Sequence, residues 1–202
     1  METKIYLYPI WVRFWHWSNA LFFLLLLFSG LSLQYSSEDY SVIRFDIAVS
    51  MHNISGVVIT IAYFMFIIGN IFTANGKYYK IPKSGFFTEL FYQVRYYTVG
   101  IFTKKKAPYP INIDRKFNPL QKFSYVGAMY FLFPILIASG FGLIFPEILI
   151  PKVFGMSGLH LTGLTHIIAG FSLSVFMIIH LYFCTIGKTA TSNFKSMING
   201  WH

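Results

Sequence analysis

Four long apolar stretches decide what this chain can fold into: residues 15–35, 52–73, 124–145 and 159–186 contain no Asp or Glu at all. About 20 apolar residues carry a helix across the roughly 30 Å of hydrocarbon in a bilayer, so each stretch is long enough to span. Within lipid a chain must satisfy its own backbone N–H and C=O groups, and apolar runs of this length do so as helices. The 202 residues are 55% hydrophobic and 11% charged, with a mean hydropathy of +0.57. A soluble domain would carry about 25% charged residues. The expected architecture is a single all-α domain over residues 1–202, an integral membrane four-helix bundle running up-down-up-down. No small-residue cleavage pattern follows the first stretch, which begins near Trp15, so it reads as a retained helix and not as a removed signal peptide.

Charge orients the bundle. Lys77, Lys80, Lys83, Arg95, Lys104, Lys105, Lys106, Arg115, Lys116 and Lys122 all fall in the connection 74–123, whereas 36–51 holds Glu38, Asp39, Asp46 and a single Arg44. Loops rich in Lys and Arg stay in the cytoplasm, so 74–123 is the cytoplasmic loop and both termini lie on its side, N-in and C-in. Lys4 and Arg13 before the first span, and Lys188 and Lys195 after the fourth, agree with this. The connection 146–158 is then external, bounded by Pro146 and Pro151. Orientation accounts for the net charge of +9. A nucleic-acid role is set aside, because Lys104 to Lys106 lie close to the spans and no binding fold surrounds them. Along 86–102, Phe87, Leu90, Phe91, Val94 and Thr98 recur at helical spacing. That segment is expected to lie along the membrane surface, either filling the gap between spans or docking a partner subunit.

An ionisable side chain inside a span needs a partner that offsets its desolvation, which draws attention to the histidines. Six occur, and His16, His52, His166 and His180 lie inside or at the edge of apolar stretches. With both termini inside, His16 and His180 share the inner level, and His52 and His166 share the outer one. At a rise of about 1.5 Å and about 100° per residue, the fourteen positions from His166 to His180 span roughly 21 Å and return to within about 40° of one face. Both can therefore look into one bundle interior. Two porphyrins stacked at two levels, each with two axial imidazoles from different helices, require this arrangement. Gly56 and Gly170, each four residues after a histidine, and Gly163, three before His166, would let a flat macrocycle approach the backbone. His160 points elsewhere around its helix and is expected at a loop or helix start, while His202 is uninformative. Cys184 is the only cysteine, which excludes an internal disulfide, a Cys-pair zinc site, an iron–sulfur cluster and covalent c-type haem attachment. Labile metal transport would need acidic or thiol co-ligands near the midplane. The alternatives left open are a haem-free transporter or anchor whose histidines tie helices together, and a haem-bearing conduit to a multihaem cytochrome with no quinone site.

Several motifs then align in order: Arg13-Phe14-Trp15-His16-Trp17, His52-Asn53-Ile54-Ser55-Gly56, Phe117-Asn118-Pro119-Leu120-Gln121-Lys122, the His166/His180 pair, and Gly187-Lys188 through Met197-Ile198-Asn199-Gly200. In these the chain resembles the di-haem cytochrome b subunits that anchor nickel-iron hydrogenases, formate dehydrogenases and thiosulfate reductases in the bacterial inner membrane. The resemblance implies two b haems, the outer ligated by His52 and His166 and the inner by His16 and His180. It implies a menaquinone or ubiquinone site beside the inner haem, near Asn118, Gln121 and Lys122; Asn118 ahead of Pro119 also reads simply as a helix cap. Some relatives carry glycine where Leu120 stands. Arg13 is placed to meet a haem propionate or to serve as a positive-inside anchor. The implied role is an electron-transfer subunit of a multi-subunit oxidoreductase, linking an extracytoplasmic redox subunit (an iron–sulfur protein, a hydrogenase or a multihaem cytochrome) to the quinone pool.

Overall fold

The computed structural model describes residues 5–37, 40–187 and 189–202. Lys4, Glu38, Asp39 and Lys188, used above to orient the bundle, lie outside the described residues. In chain order the α-helices are α1 (Ile10–Tyr35), α2 (Phe45–Phe72), α3 (Phe86–Arg95), α4 (Pro119–Gly127), α5 (Phe133–Ile144), α6 (Gly158–Cys184) and α7 (Ser192–Asn199). A π-helical turn, Ala128–Leu132, joins α4 and α5 into one continuous helix, Pro119–Ile144. That helix and α1, α2 and α6 are the four described helices long and apolar enough to cross a membrane, and they form the membrane bundle.

The helices begin earlier than the apolar stretches do, because hydropathy marks contact with hydrocarbon and not where a helix is capped. In α2 the start at Phe45 places His52 two turns inside the helix instead of at its first residue, and brings Asp46 into the first turn. An acid there suits the positive helix N-terminus, and Asp46 also pairs with Arg44 at 2.7 Å. The third span starts at a capping box. The Gln121 backbone N–H donates to Asn118 Oδ1 (2.9 Å), the Asn118 N–H donates to Gln121 Oε1 (3.1 Å), and Pro119 occupies the first helical position. Pro134 would leave the Tyr130 carbonyl without its usual donor four residues on, and the π turn just before it takes up the mismatch.

The core sits at mid-depth. Ile59, Tyr63 and Phe66 from α2, Ala128, Met129 and Phe133 from the third span, and Leu173 from α6 are buried together, with Phe22, Phe23 and Leu26 of α1 packed against them. Leu173 lies seven residues from His166 and seven from His180, so an apolar layer separates the two histidine levels. The termini close one end: the Ile5 N–H donates to the His202 carbonyl and the His202 N–H to the Ile5 carbonyl, both at 2.9 Å. Arg13 Nη1 donates to the Ile198 carbonyl, tying α1 to α7. The segment expected along the surface is α3 with its π-turn extension, Tyr96–Gly100. Phe86 and Gln93 are buried against the body, while Phe87, Phe91, Val94 and Phe102 stand exposed. Arg115 holds the loop to α3 through both oxygens of Glu89, at 3.1 Å each.

Candidate functional site

The four histidines meet in two pairs on facing helices. At the outer level His52 of α2 faces His166 of α6 with ring centres 6.2 Å apart. At the inner level His16 of α1 faces His180 of α6 at 6.1 Å. A metal ion between two imidazoles, with bonds of about 2 Å and each ring centre about 1 Å beyond its nitrogen, separates the ring centres by about 6 Å. Both pairs are therefore spaced so that one metal could be held between them. Among the described residues no three His, Cys, Asp or Glu side chains converge, so a metal held by either pair would need further ligands from a bound group. A porphyrin supplies four in a plane. Space for its plane exists: a Cβ at Gly56 would meet nothing within 4 Å, and at Gly170 and Gly163 only one leucine methyl each, at 3.8 and 3.9 Å.

The outer pair is built twice by the same device. In α1, Ser29 Oγ donates to the Leu25 carbonyl (2.6 Å) and lies 3.0 Å from His52 Nδ1. In α5, Ser139 Oγ donates to the Ile135 carbonyl (2.7 Å) and lies 3.1 Å from His166 Nδ1. The glycine after each serine completes the seat, since a Cβ at Gly30 or Gly140 would stand 3.2 Å from Cε1 of the adjacent imidazole. Each hairpin, α1–α2 and α5–α6, thus seats one ring on a Ser-Gly pair of its partner helix. The sequence reading missed these four residues. The available signal was a Ser-Gly pair in each apolar stretch that precedes an outer histidine.

The inner pair is held differently. His16 Nδ1 is buried and has no hydrogen-bond partner among the described residues. The Trp17 ring stands edge-on to His16 at 5.3 Å. His180 has the Tyr125 hydroxyl 3.4 Å from Nδ1 and Phe176 stacked alongside at 5.9 Å. Cys184, one turn further along α6, places Sγ 3.7 Å from His180 Nε2. Arg13, one turn before His16, leaves its Nε buried without a partner among the described residues. His160 lies in the first turn of α6 and is exposed, apart from both pairs.

Beside His180 a cleft opens between the α3 extension, α4 and α6, lined among others by Tyr97, Gln121, Tyr125, Phe176, His180 and Phe183. Asn118 is not on its wall but organises it, donating from Nδ2 to the Tyr97 hydroxyl (3.1 Å) while capping Gln121. Lys122 turns away, donating to the Lys80 carbonyl at 3.2 Å. A further cation, Lys116, is buried in the same inner region. Its Nζ donates to Asn75 Oδ1 (2.9 Å) and sits 4.6 Å from the Tyr8 ring centre and 5.7 Å from that of Phe117. Among the described residues no carboxylate pairs with it, and desolvation lowers its pKa from 10.5 to about 8. Burial likewise raises the Tyr8 phenol to about 12. Sequence reading counted Lys116 as one more loop charge; nothing in its neighbourhood marks it as buried.

A membrane four-helix bundle with facing imidazole pairs and room beside them for a macrocycle defines a class, the membrane b-type cytochromes. Residues 7–200 match the family of prokaryotic cytochrome b561, and the chain belongs to that family. It is also similar to the Escherichia coli (strain K12) protein named "Putative cytochrome YdhU", with 38% identity over 199 residues that cover 98% of this chain and 75% of that protein. The protein is thus a bacterial membrane cytochrome of the b-haem type, consistent with electron transport.

Proposed function

We propose that this chain is the electron-transfer subunit of an inner-membrane oxidoreductase, with two b haems held by His52/His166 and His16/His180, linking an extracytoplasmic redox subunit to the quinone pool. The observation that carries this reading is the pair of imidazole separations, 6.2 and 6.1 Å, at two levels of one bundle. When bound, haem supplies a one-electron iron couple; the protein supplies position and environment. Held between two imidazoles, each haem would be an electron carrier with no protein-supplied site for oxygen. The layer of Ile59, Tyr63, Phe66, Phe133 and Leu173 excludes water between the two levels. On the inner side, we assign the quinone substrate to the cleft beside His180. Phe176 and Phe183 present apolar walls to a flat ring, and Gln121 and Tyr97 present polar groups to its oxygens. Asn118 acts there by fixing Tyr97 and Gln121, while Lys122 donates to the Lys80 carbonyl. Leu120 also lines the cleft.

The test is a haem count on the purified chain. A pyridine haemochrome assay should give two b haems per polypeptide, and dithionite-reduced haem should reoxidise when a soluble quinone analogue is added. A haem-free chain would refute the reading. Two haems that ignore the quinone analogue would instead favour transfer to a second cytochrome.

A further inference from the structure

The two histidine levels differ in what backs their imidazoles. Ser29 and Ser139 each already spend their hydroxyl proton on a backbone carbonyl one turn earlier, at 2.6 and 2.7 Å. Their oxygens can then only accept from the imidazoles 3.0 and 3.1 Å away. Both outer rings are therefore held as Nδ1–H tautomers, which leaves Nε2 as the nitrogen available to a metal. A ligating imidazole that donates its other N–H to an acceptor is a stronger electron donor to the metal. Greater donation favours ferric over ferrous iron. At the inner level His16 Nδ1 has no such acceptor among the described residues, and the Tyr125 hydroxyl is 3.4 Å from His180 Nδ1.

Resting on the two-haem reading above, we propose that Ser29 and Ser139 are positioning residues that lower the midpoint potential of the outer haem, making it the lower-potential centre of the two.

The test is a potentiometric titration of the full chain in membranes, following the b-haem absorbance, for the wild type and for Ser29→Ala, Ser139→Ala and the double variant. The outer component is assigned as the one lost in His52→Ala. It should be the lower of the two in the wild type. Each alanine should lower its oxidised-to-reduced ratio at fixed potential about fivefold, the worth of about one neutral hydrogen bond, or about 40 mV at about 59 mV per tenfold for one electron. The inner component should stay in place. Ser29→Thr and Ser139→Thr, which keep the hydroxyl, should restore the wild-type potential. If an alanine variant sheds the haem, Ser29→Cys and Ser139→Cys, similar in size and weaker as acceptors, should move the outer component in the same direction by less. An outer component that stays put in the alanine or cysteine variants overturns the proposal, as does an outer component that is the higher of the two. A wild-type chain without two components fails earlier, at the two-haem reading itself.

Discussion

Substituting Gly56 by alanine separates the protein's own packing from the space kept for a macrocycle. Gly56 lies one helical turn after His52 on the same face of α2, and a methyl there would touch nothing within 4 Å. In the haem-free chain the change should be benign or better, since alanine favours a helix interior over glycine by about 0.5–1 kcal/mol. With a macrocycle held by His52 and His166, the same methyl enters occupied space. Overpacking of that kind costs about 1–3 kcal/mol, which weakens binding about 5- to 150-fold. Gly30→Ala is the contrast: its Cβ stands 3.2 Å from His52 Cε1 with no cofactor present, so it strains both states. Two measurements decide. Denaturant unfolding of the haem-free protein in detergent reports the fold, and transfer of haem to an excess of apo-acceptor reports affinity. Gly56→Ala should keep or raise the first and accelerate the second, whereas Gly30→Ala should impair both. Unchanged haem release in Gly56→Ala would show that no macrocycle lies against α2 at this position.

Lys116 predicts a pH dependence. Its folded pKa of about 8 lies below the ordinary 10.5, so between those values the unfolded chain binds more protons and stability rises with pH. The stabilisation is complete above 10.5 and is lost as pH falls through 8, a difference of about 3 kcal/mol. Lys116→Met should flatten the rise in detergent unfolding curves; an unchanged slope would place the effect elsewhere. Leu120→Trp should fill the cleft beside His180, leaving the haem count at the wild-type value while slowing quinone-analogue reoxidation at least tenfold. Gln121→Leu, which removes a polar group and the cap on Asn118, should slow the same reaction and also loosen the third span, seen as a lower unfolding midpoint.

Much of the bundle was legible because lipid imposes long uninterrupted apolar runs, and because a fixed rise per residue turns histidine positions into depths. His16, His52, His166 and His180 could be matched by level before any geometry was known. What escaped was whatever depends on how helices face one another. Ser29 and Ser139 look like ordinary small residues in an apolar run until α2 and α6 bring imidazoles against them. Lys116 looks like a solvated loop charge until Tyr8, Tyr78 and Phe117 close around it. Asn118, Gln121 and Lys122 are consecutive polar positions of one motif, yet the helix start sends Gln121 to the cleft and Lys122 to the Lys80 carbonyl. Helix ends were shifted because the Asn118–Gln121 capping box and the first turns of α2, which carry Asp46, lie before the apolar runs that hydropathy marks.

Haem counting in the four single histidine-to-alanine variants reaches furthest, scored by which spectral and redox component disappears. His52→Ala and His166→Ala should each remove the same component and leave the other, while His16→Ala and His180→Ala should remove the second and spare the first. A component lost in common by His16→Ala and His52→Ala, with a folded chain and the other haem in place, would contradict the two-level pairing.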